Sequence, residues 1–446
     1  MKRFEVAYVP IGVGTFHLES AKEQFRQSVG LLRKIEEQVV VPKEMLLTLD
    51  LLTAYLEELH PDLIVLQNVT FANAAYTAEI VKRFDCPILL WTLREPVIDG
   101  GRLRLNSLTG AYSAANTIKQ FKKEGFSYVY GGPSEEEVEE KVKACIVAAR
   151  IKYEMRHLTL AAVGHTPQGF GFGRALDNEM LSVFGVTLLS LEARELIEKA
   201  QAYSEEEVQE YLEDANGRMK GLLNTPKKNC VDFARLYKAY KEFVEENHVG
   251  ALASRCWPDF FTSFGTPVCA VLAMLNDLGV AASCEADVCG ALSMYLGMKL
   301  SGKAVFFGDP VSLDETENTV TFWHCGTAAC SLAREDTGAC VDVHCNRKIG
   351  PTLDFGCAGA KQATVFRISK DEAGNFRFLL AKGEALDKPK QFLGTSSVVK
   401  LDKDAKKFVY ETVTEGLEPH FVVVYDDVVE TLKVLAQMLG LEVLEI

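Results

Sequence analysis

The chain has 446 residues, 48% of them hydrophobic and 25% charged, and at about 150 residues per domain it can build two or three folded cores. Acids outnumber bases 62 to 48, a formal charge of -14, so the overall field repels phosphate backbones and anionic membrane surfaces and argues against both as partners. The opening "MKRFEVAYVPIGVG" has too short an apolar run for a signal peptide, no window approaches a membrane span of roughly 18 apolar residues, and the twelve cysteines are scattered, so a cytoplasmic protein is expected.

The first third alternates strand and helix patterns. The runs at 4–11, 62–69, 86–93 and 126–132 are short, apolar and rich in β-formers, and helical stretches such as "SAKEQFRQSVGLLRKI" lie between them. That alternation predicts parallel strands with helical crossovers, a doubly wound domain over 1–157 closed by the helix that Ser134 and Glu137 open. Ligands of such sheets sit beyond the C-terminal strand ends, which draws attention to "GVGTFHLES" and to His17 within it. A polar residue starting a helix is an equal reading of His17.

A second alternation, with strands at 158–165, 186–191, 250–257 and 280–285, predicts another doubly wound domain over 158–302. Its "GHTPQGFGFGRAL" is glycine-rich but fits neither a dinucleotide fingerprint nor a P-loop. A turn, or a loop approaching a neighbouring domain, is the reading taken, and no nucleotide cofactor is expected. From 303 to 446 runs of strand dominate, with "KDEAGN" as a hairpin turn and an amphipathic helix near the end. This predicts a β-rich third domain, a sheet or barrel, with a terminal helix.

Chemistry-bearing residues gather at predicted strand ends. In "SCEADVCGALSMYLG", Glu285 and Asp287 lie where a strand ends and a helix begins; Asp287 suits the helix cap, and Glu285 is not needed for it. "GKAVFFGDPV" delivers Asp309 to a strand end, with Gly308 and Pro310 forcing a turn, and "NTVTFWHCG" delivers His324 to the next. Each alone is an ordinary loop residue. Together, Glu, Asp and His on successive strand ends suit a divalent cation in a mixed oxygen and nitrogen shell, Mn2+, Mg2+ or Co2+ rather than a thiolate-bound ion.

Three cysteine pairs, Cys284/Cys289, Cys325/Cys330 and Cys340/Cys345, share the spacing C-x4-C, wider than a zinc knuckle, and read as small buried hydrophobes. Because neighbours on a strand face opposite ways, the cysteines of His324-Cys325 and His344-Cys345 should face packing if the histidines face a site. His420, behind Pro419 and ahead of an apolar strand, would alone count as a loop residue.

In this order these residues resemble the L-fucose isomerase and L-arabinose isomerase superfamily of metal-dependent aldose-ketose isomerases. "EADVCGALSMYLGMKLSGKAVFFGD" is similar to that family's segment in which an acid-x-Asp motif opens a helix and a second metal-binding acid follows 24 residues later, the places of Glu285 and Asp309. The chain combines the Asp of the fucose branch at 309 with the His of the arabinose branch at 324. The resemblance implies His420 as a late metal ligand and His17 as part of a first-domain loop reaching a neighbouring subunit's active site. It also implies a homo-oligomer, trimer or hexamer, with the site at a subunit interface.

Residues and resemblance together imply a divalent-metal-dependent isomerase, with Mn2+ favoured, interconverting an aldose and its ketose through an ene-diolate or by a hydride shift. Glu285 and Asp309 would be both catalytic groups and ligands, joined by His420 and His324. His17, Arg255 and Asp287 would contact substrate, a pentose, a deoxyhexose or an anionic hexose such as a sulfonated sugar. Arg255, in "SRCWPDF", could pair with such an anion or with a structural acid. A metal-dependent aldolase-type lyase and a non-catalytic sugar-binding protein are the alternatives.

Overall fold

The computed structural model describes residues 3–121 and 125–446. Two compact units result: residues 1–154 with 430–441, and 155–429 with 442–446.

In the first unit, β1 (Val6–Ile11), β2 (Leu63–Asn68), β3 (Ile88–Thr92) and β4 (Phe126–Tyr130) form a parallel sheet in chain order. The first three strands are apolar on both faces because helices cover both, and every residue in them is buried. An extended segment lies on the outer edge of β1 through bridges Ala7 to Val40 and Ile11 to Leu46. The chain therefore goes to one side of β1 first and to the other side afterwards, the reversal of a doubly wound sheet. Leu52, Leu56, Tyr76, Ile80, Ala114 and Ile118 pack with Val9, Leu66 and Leu90 in the core. The C-terminal helix Val429–Leu439 also packs here, where Gln437 donates to Phe126 O at 2.7 Å and accepts from Ser127 Oγ at 2.9 Å on edge strand β4.

The second unit begins with β5 (Thr159–Val163), β6 (Thr187–Leu191), β7 (Val249–Ser254) and β8 (Ala281–Cys284), parallel in the order β6-β5-β7-β8. The same reversal occurs at β5. Next come β9 (Phe306–Asp314) and β10 (Thr319–His324), then three short strands, β11 (Val341–Asp342), β12 (Thr352–Leu353) and β13 (Phe355–Gly356). The long β14 (Ala360–Lys370), β15 (Phe376–Leu386), β16 (Thr395–Leu401) and β17 (Phe421–Val424) come after them, and β18 (Glu442–Glu445) ends the chain. The ladder β16-β10-β9-β17-β14-β15 closes through a further β15 to β16 pairing, so these six strands form a barrel flanked by β13 and β18. Closure removes the exposed edges that an antiparallel sheet would otherwise present.

The helix Val288–Ser301 joins the parallel sheet to the barrel. It is apolar on all sides, as a helix enclosed by protein must be, and residues 288–297 are buried. Its glycines permit the close approach: a Cβ at Gly290 would lie 2.6 Å from Phe307, and one at Gly297 2.8 Å from Val424. Ser293 Oγ accepts the amide of Ile368 on β14 at 2.9 Å.

Candidate active site

The site is assembled where this helix begins. After β8, Glu285 and Ala286 both take left-handed backbone conformations, φ 61° and 56°, a turn that costs non-glycine residues about 1–3 kcal/mol each. The turn is held by Ala286 N donating to Ser254 O at 3.0 Å, and by Ser283 Oγ donating to Asp287 O at 2.7 Å. It leaves Glu285 largely buried, its side chain 16% exposed, and puts Asp287 at the helix cap, accepting from Gly290 N at 2.8 Å.

Asp287 does more than cap. It is fully buried, and Arg367 of β14, also fully buried, grips it with both terminal nitrogens at 2.5 and 3.2 Å. Asp287 Oδ2 also lies 2.9 Å from His420 Nδ1. Burial alone would raise this carboxyl; the Arg367 guanidinium and His420 outweigh it and hold it well below the usual carboxylate range. Arg367 Nε lies 3.8 Å from Glu418 Oε2. Neither Arg367 nor Glu418 stood out in the sequence. The available signal was a lone arginine inside the otherwise apolar "ATVFRIS", a charge that a buried strand keeps only with a partner.

His420, at the entrance to β17, bridges the two acids of the turn, with Nδ1 on Asp287 and Nε2 2.9 Å from Glu285 Oε2, and its Nε2 also lies 3.6 Å from Asp309 Oδ1 on β9. His324, the last residue of β10, brings a ring nitrogen within 4.8 Å of the Glu285 and His420 ligand atoms. Phe307 fills the space between the imidazoles, 4.6 Å from the His420 ring centre and 5.6 Å from that of His324. Burial would depress both histidines. The Asp287 and Glu285 carboxylates overcome it at His420, the Cys325 thiol with Asp309 and Glu285 overcome it at His324, and both are pushed up to about 9. Burial pushes the Asp309 carboxyl up, against the opposing pull of the two histidines.

Asp309 does not end its strand. β9 continues through Pro310 to Asp314, and the register with β10 shifts between Thr321 and Phe322, opposite Pro310. A bulge absorbs the proline's missing N–H, so the residue expected to force a turn aims Asp309 within the strand instead. The glycine-rich loop after β5 packs against the turn: a Cβ at Gly173 would lie 3.0 Å from Asp287 Cα, and Phe172 meets the His420 ring edge-on at 5.4 Å. Next to it, Arg174 is exposed, with Nε donating to Thr166 Oγ1 at 2.8 Å.

Arg255 pairs with Asp259 at 2.7 Å and donates to Trp257 O at 3.2 Å. His17, in the first unit, is the exposed cap of helix Leu18–Ile35; its Nδ1 lies 2.9 Å from Ser20 Oγ and accepts from Ser20 N at 3.3 Å.

Two carboxylates and two imidazoles thus converge, with the imidazoles buried and Asp309 open at 30% side-chain exposure. This donor set suits a divalent cation that accepts oxygen and nitrogen, and the carboxylate behind His420 is the partner that fixes a ligating imidazole.

The whole chain has relatives. Residues 323–446 match the family described as L-fucose isomerase, C-terminal domain. A sulfoquinovose isomerase of Clostridium sp. (strain MSTE9) is 60% identical over 442 residues, 99% of either chain. Sulfoquinovose isomerases of Priestia aryabhattai and Alkalicoccus urumqiensis are 37% and 35% identical, again over 99% of either chain. The chain belongs to the L-fucose isomerase-like superfamily.

Proposed function

We propose that this protein is a divalent-cation-dependent aldose-ketose isomerase whose substrate is the sulfonated sugar sulfoquinovose. The observation that carries the reading is the cluster of Glu285, His324 and His420, whose ligand atoms lie within 4.8 Å of one another, with Asp309 Oδ1 3.6 Å from His420 Nε2. The names of its full-length relatives support the substrate class.

Isomerisation moves a carbonyl from C1 to C2 of the open-chain sugar. One carboxylate, Glu285, takes the proton from C2; the C2–H pair becomes the C1–C2 double bond of an ene-diolate. The acid, Asp309, returns a proton to C1, and the O2 proton passes to O1 as the new carbonyl forms, so that Glu285 ends protonated and Asp309 ionised until exchange with solvent resets the pair. Glu285, Asp309 and His420, with His324, would hold the cation, which supplies Lewis-acid stabilisation of the developing charge on O1 and O2; Mn2+ is favoured, with Mg2+ or Co2+ as substitutes. His420 keeps the Glu285 carboxylate aimed, and Asp287 with Arg367 keeps His420 aimed. Phe172 and Phe307 exclude water from the imidazoles. For the sulfonate, Arg174 is the better-placed guanidinium, because Arg255 already holds Asp259.

As in the superfamily, we take the working enzyme to be a cytoplasmic homo-oligomer in which His17 reaches the sugar of an adjacent subunit. No helix among the described residues is long and apolar enough to cross a membrane.

The test is incubation of the purified protein with sulfoquinovose and Mn2+ in D2O. Ketose should form, chelation should stop it, and deuterium should enter at C1. Absence of ketose, or cleavage products in its place, would refute the reading, while ketose without deuterium would replace proton transfer by hydride shift.

A further inference from the structure

Behind His324 the structure gathers sulfur. Cys269, at the start of helix Cys269–Asp277, and Cys325, just past β10, place their Sγ atoms within 4.8 Å of each other and of a ring nitrogen of His344. The thiol of Cys284, the last residue of β8, interacts with those of Cys269, Cys325 and Cys256. Cys256, Cys269 and Cys284 are buried, and every cysteine is a free thiol. None of the three C-x4-C spacings predicts this group, and Cys325 does not merely pack.

We propose that Cys269, Cys284 and Cys325, with His344, form a second metal site, selective for a thiophilic ion such as Zn2+ and distinct from the carboxylate and imidazole site. Tetrahedral zinc, with bonds of about 2.3 Å to sulfur and about 2.0 Å to nitrogen, spaces its ligand atoms about 3.5–3.8 Å apart. The separations of up to 4.8 Å among Cys269, Cys325 and His344 thus need about an ångström of closure, and Cys284 joins through its contacts with Cys269 and Cys325. The ligands come from four separate segments: Cys284 ends a strand of the parallel sheet, Cys269 starts a helix, Cys325 follows barrel strand β10, and His344 lies between β11 and β12.

Thiolate selects Zn2+ or Cu+ over Mn2+ and Mg2+, whereas the grouped donors of the Glu285 site are a carboxylate and two imidazoles, a set that makes the opposite choice. The three thiols are the core. His344 Nδ1 accepts the amides of Asn346 and Arg347 at 3.2 and 3.4 Å, so ligation through Nε2 requires a tautomer shift at the expense of those long bonds. Imidazole is therefore the weakest ligand of the set. Because Cys325 Sγ is 3.5 Å from His324 Nδ1, an ion here would also fix the end of β10 that carries His324.

The test uses the full-length protein, stripped of bound metal by a chelator and prepared anaerobically with all thiols reduced. Titration with Co2+ should give thiolate-to-cobalt charge-transfer absorption in the near ultraviolet, and Zn2+, but not Mn2+, should bleach it. Glu285→Gln should keep the band, Cys269→Ser with Cys325→Ser should lose it, and His344→Ala should keep it with weakened affinity. Zinc released from the untreated wild type by a mercurial thiol reagent, one ion per chain, checks the site without any variant. Failure of the reduced wild type to show the band would overturn the proposal, as would retention of the band in the double variant. Loss of two thiols to a disulfide without bound metal would overturn it too, and would make the cluster a redox pair.

Discussion

Two helix caps in this protein start from the same grammar and end differently. His17 follows β1, Asp287 follows β8, and each side chain accepts an amide hydrogen from the first turn of the helix after a parallel strand. The His17 side chain is exposed and engages the local Ser20. Asp287 is fully buried and engages Arg367 and His420, 80 and 133 residues further along the chain. Burial makes the difference. A cap facing water is a local device, whereas a buried carboxylate must find charge or donors elsewhere, and those partners tie the barrel's β14 and β17 to the strand end that carries Glu285.

The comparison breaks most visibly at the residue the buried cap positions. Glu285→Gln keeps the size and the turn but removes the carboxylate proposed as the base, so turnover of the sulfonated sugar should fall about 10²–10⁴-fold with an unchanged far-ultraviolet spectrum. Near wild-type rates would remove Glu285 from the chemistry. Arg367→Leu strips the buried cap of its counter-charge, and loss of one partner from a buried pair costs about 3–5 kcal/mol, read as a lower denaturation midpoint. A change below 1 kcal/mol would mean that the pair contributes little, whatever its geometry.

Protonation sharpens the same contrast. In protein stripped of divalent ions, His420 and His324 are held up to about 9, above the ordinary value of 6.5. Their contribution is fully present below about pH 6.5 and is lost as pH rises through about 9, on the order of 3 kcal/mol for each histidine. Chemical denaturation at pH 6 and pH 9.5 should show that decline, and His420→Gln should make it shallower, leaving the part due to His324. A stability that climbs across this interval would contradict the folded-state electrostatics. Asp287→Asn, which keeps the cap but weakens the hold on His420, should lower affinity for Mn2+, the cation proposed, about 10–100-fold by isothermal titration, with a smaller change in the turnover of saturated enzyme.

Much of this was legible in the sequence, for identifiable reasons. The two parallel sheets announce themselves as apolar runs alternating with capped helices, and Glu285 is conspicuous as an acid that the cap does not require. Asp309 was legible as a residue but not as a position, because Pro310 signals a turn and only the pairing with β10 reveals a bulge that lets β9 continue. His420 carries no local signal; its resemblance to a family histidine singled it out, and the structure supplies the reason in its two carboxylate partners. Arg367, Glu418 and the thiol group were illegible because each depends on contacts between segments distant in the chain, which no spacing within one segment encodes.

The smallest effect belongs to the exposed cap. His17→Ala removes one acceptor from the first turn of helix Leu18–Ile35, and loss of an exposed cap costs about 0.5–1 kcal/mol, a shift measurable only by careful thermal denaturation. His17→Ser replaces it with a better capping side chain and should restore that stability. If the histidine also reaches the sugar of an adjacent subunit, His17→Ser should still raise KM several-fold while leaving the thermal midpoint at or above the wild-type value. A serine variant with wild-type KM would confine His17 to its helix, and the two caps would then differ in kind, one structural and one wired to catalysis.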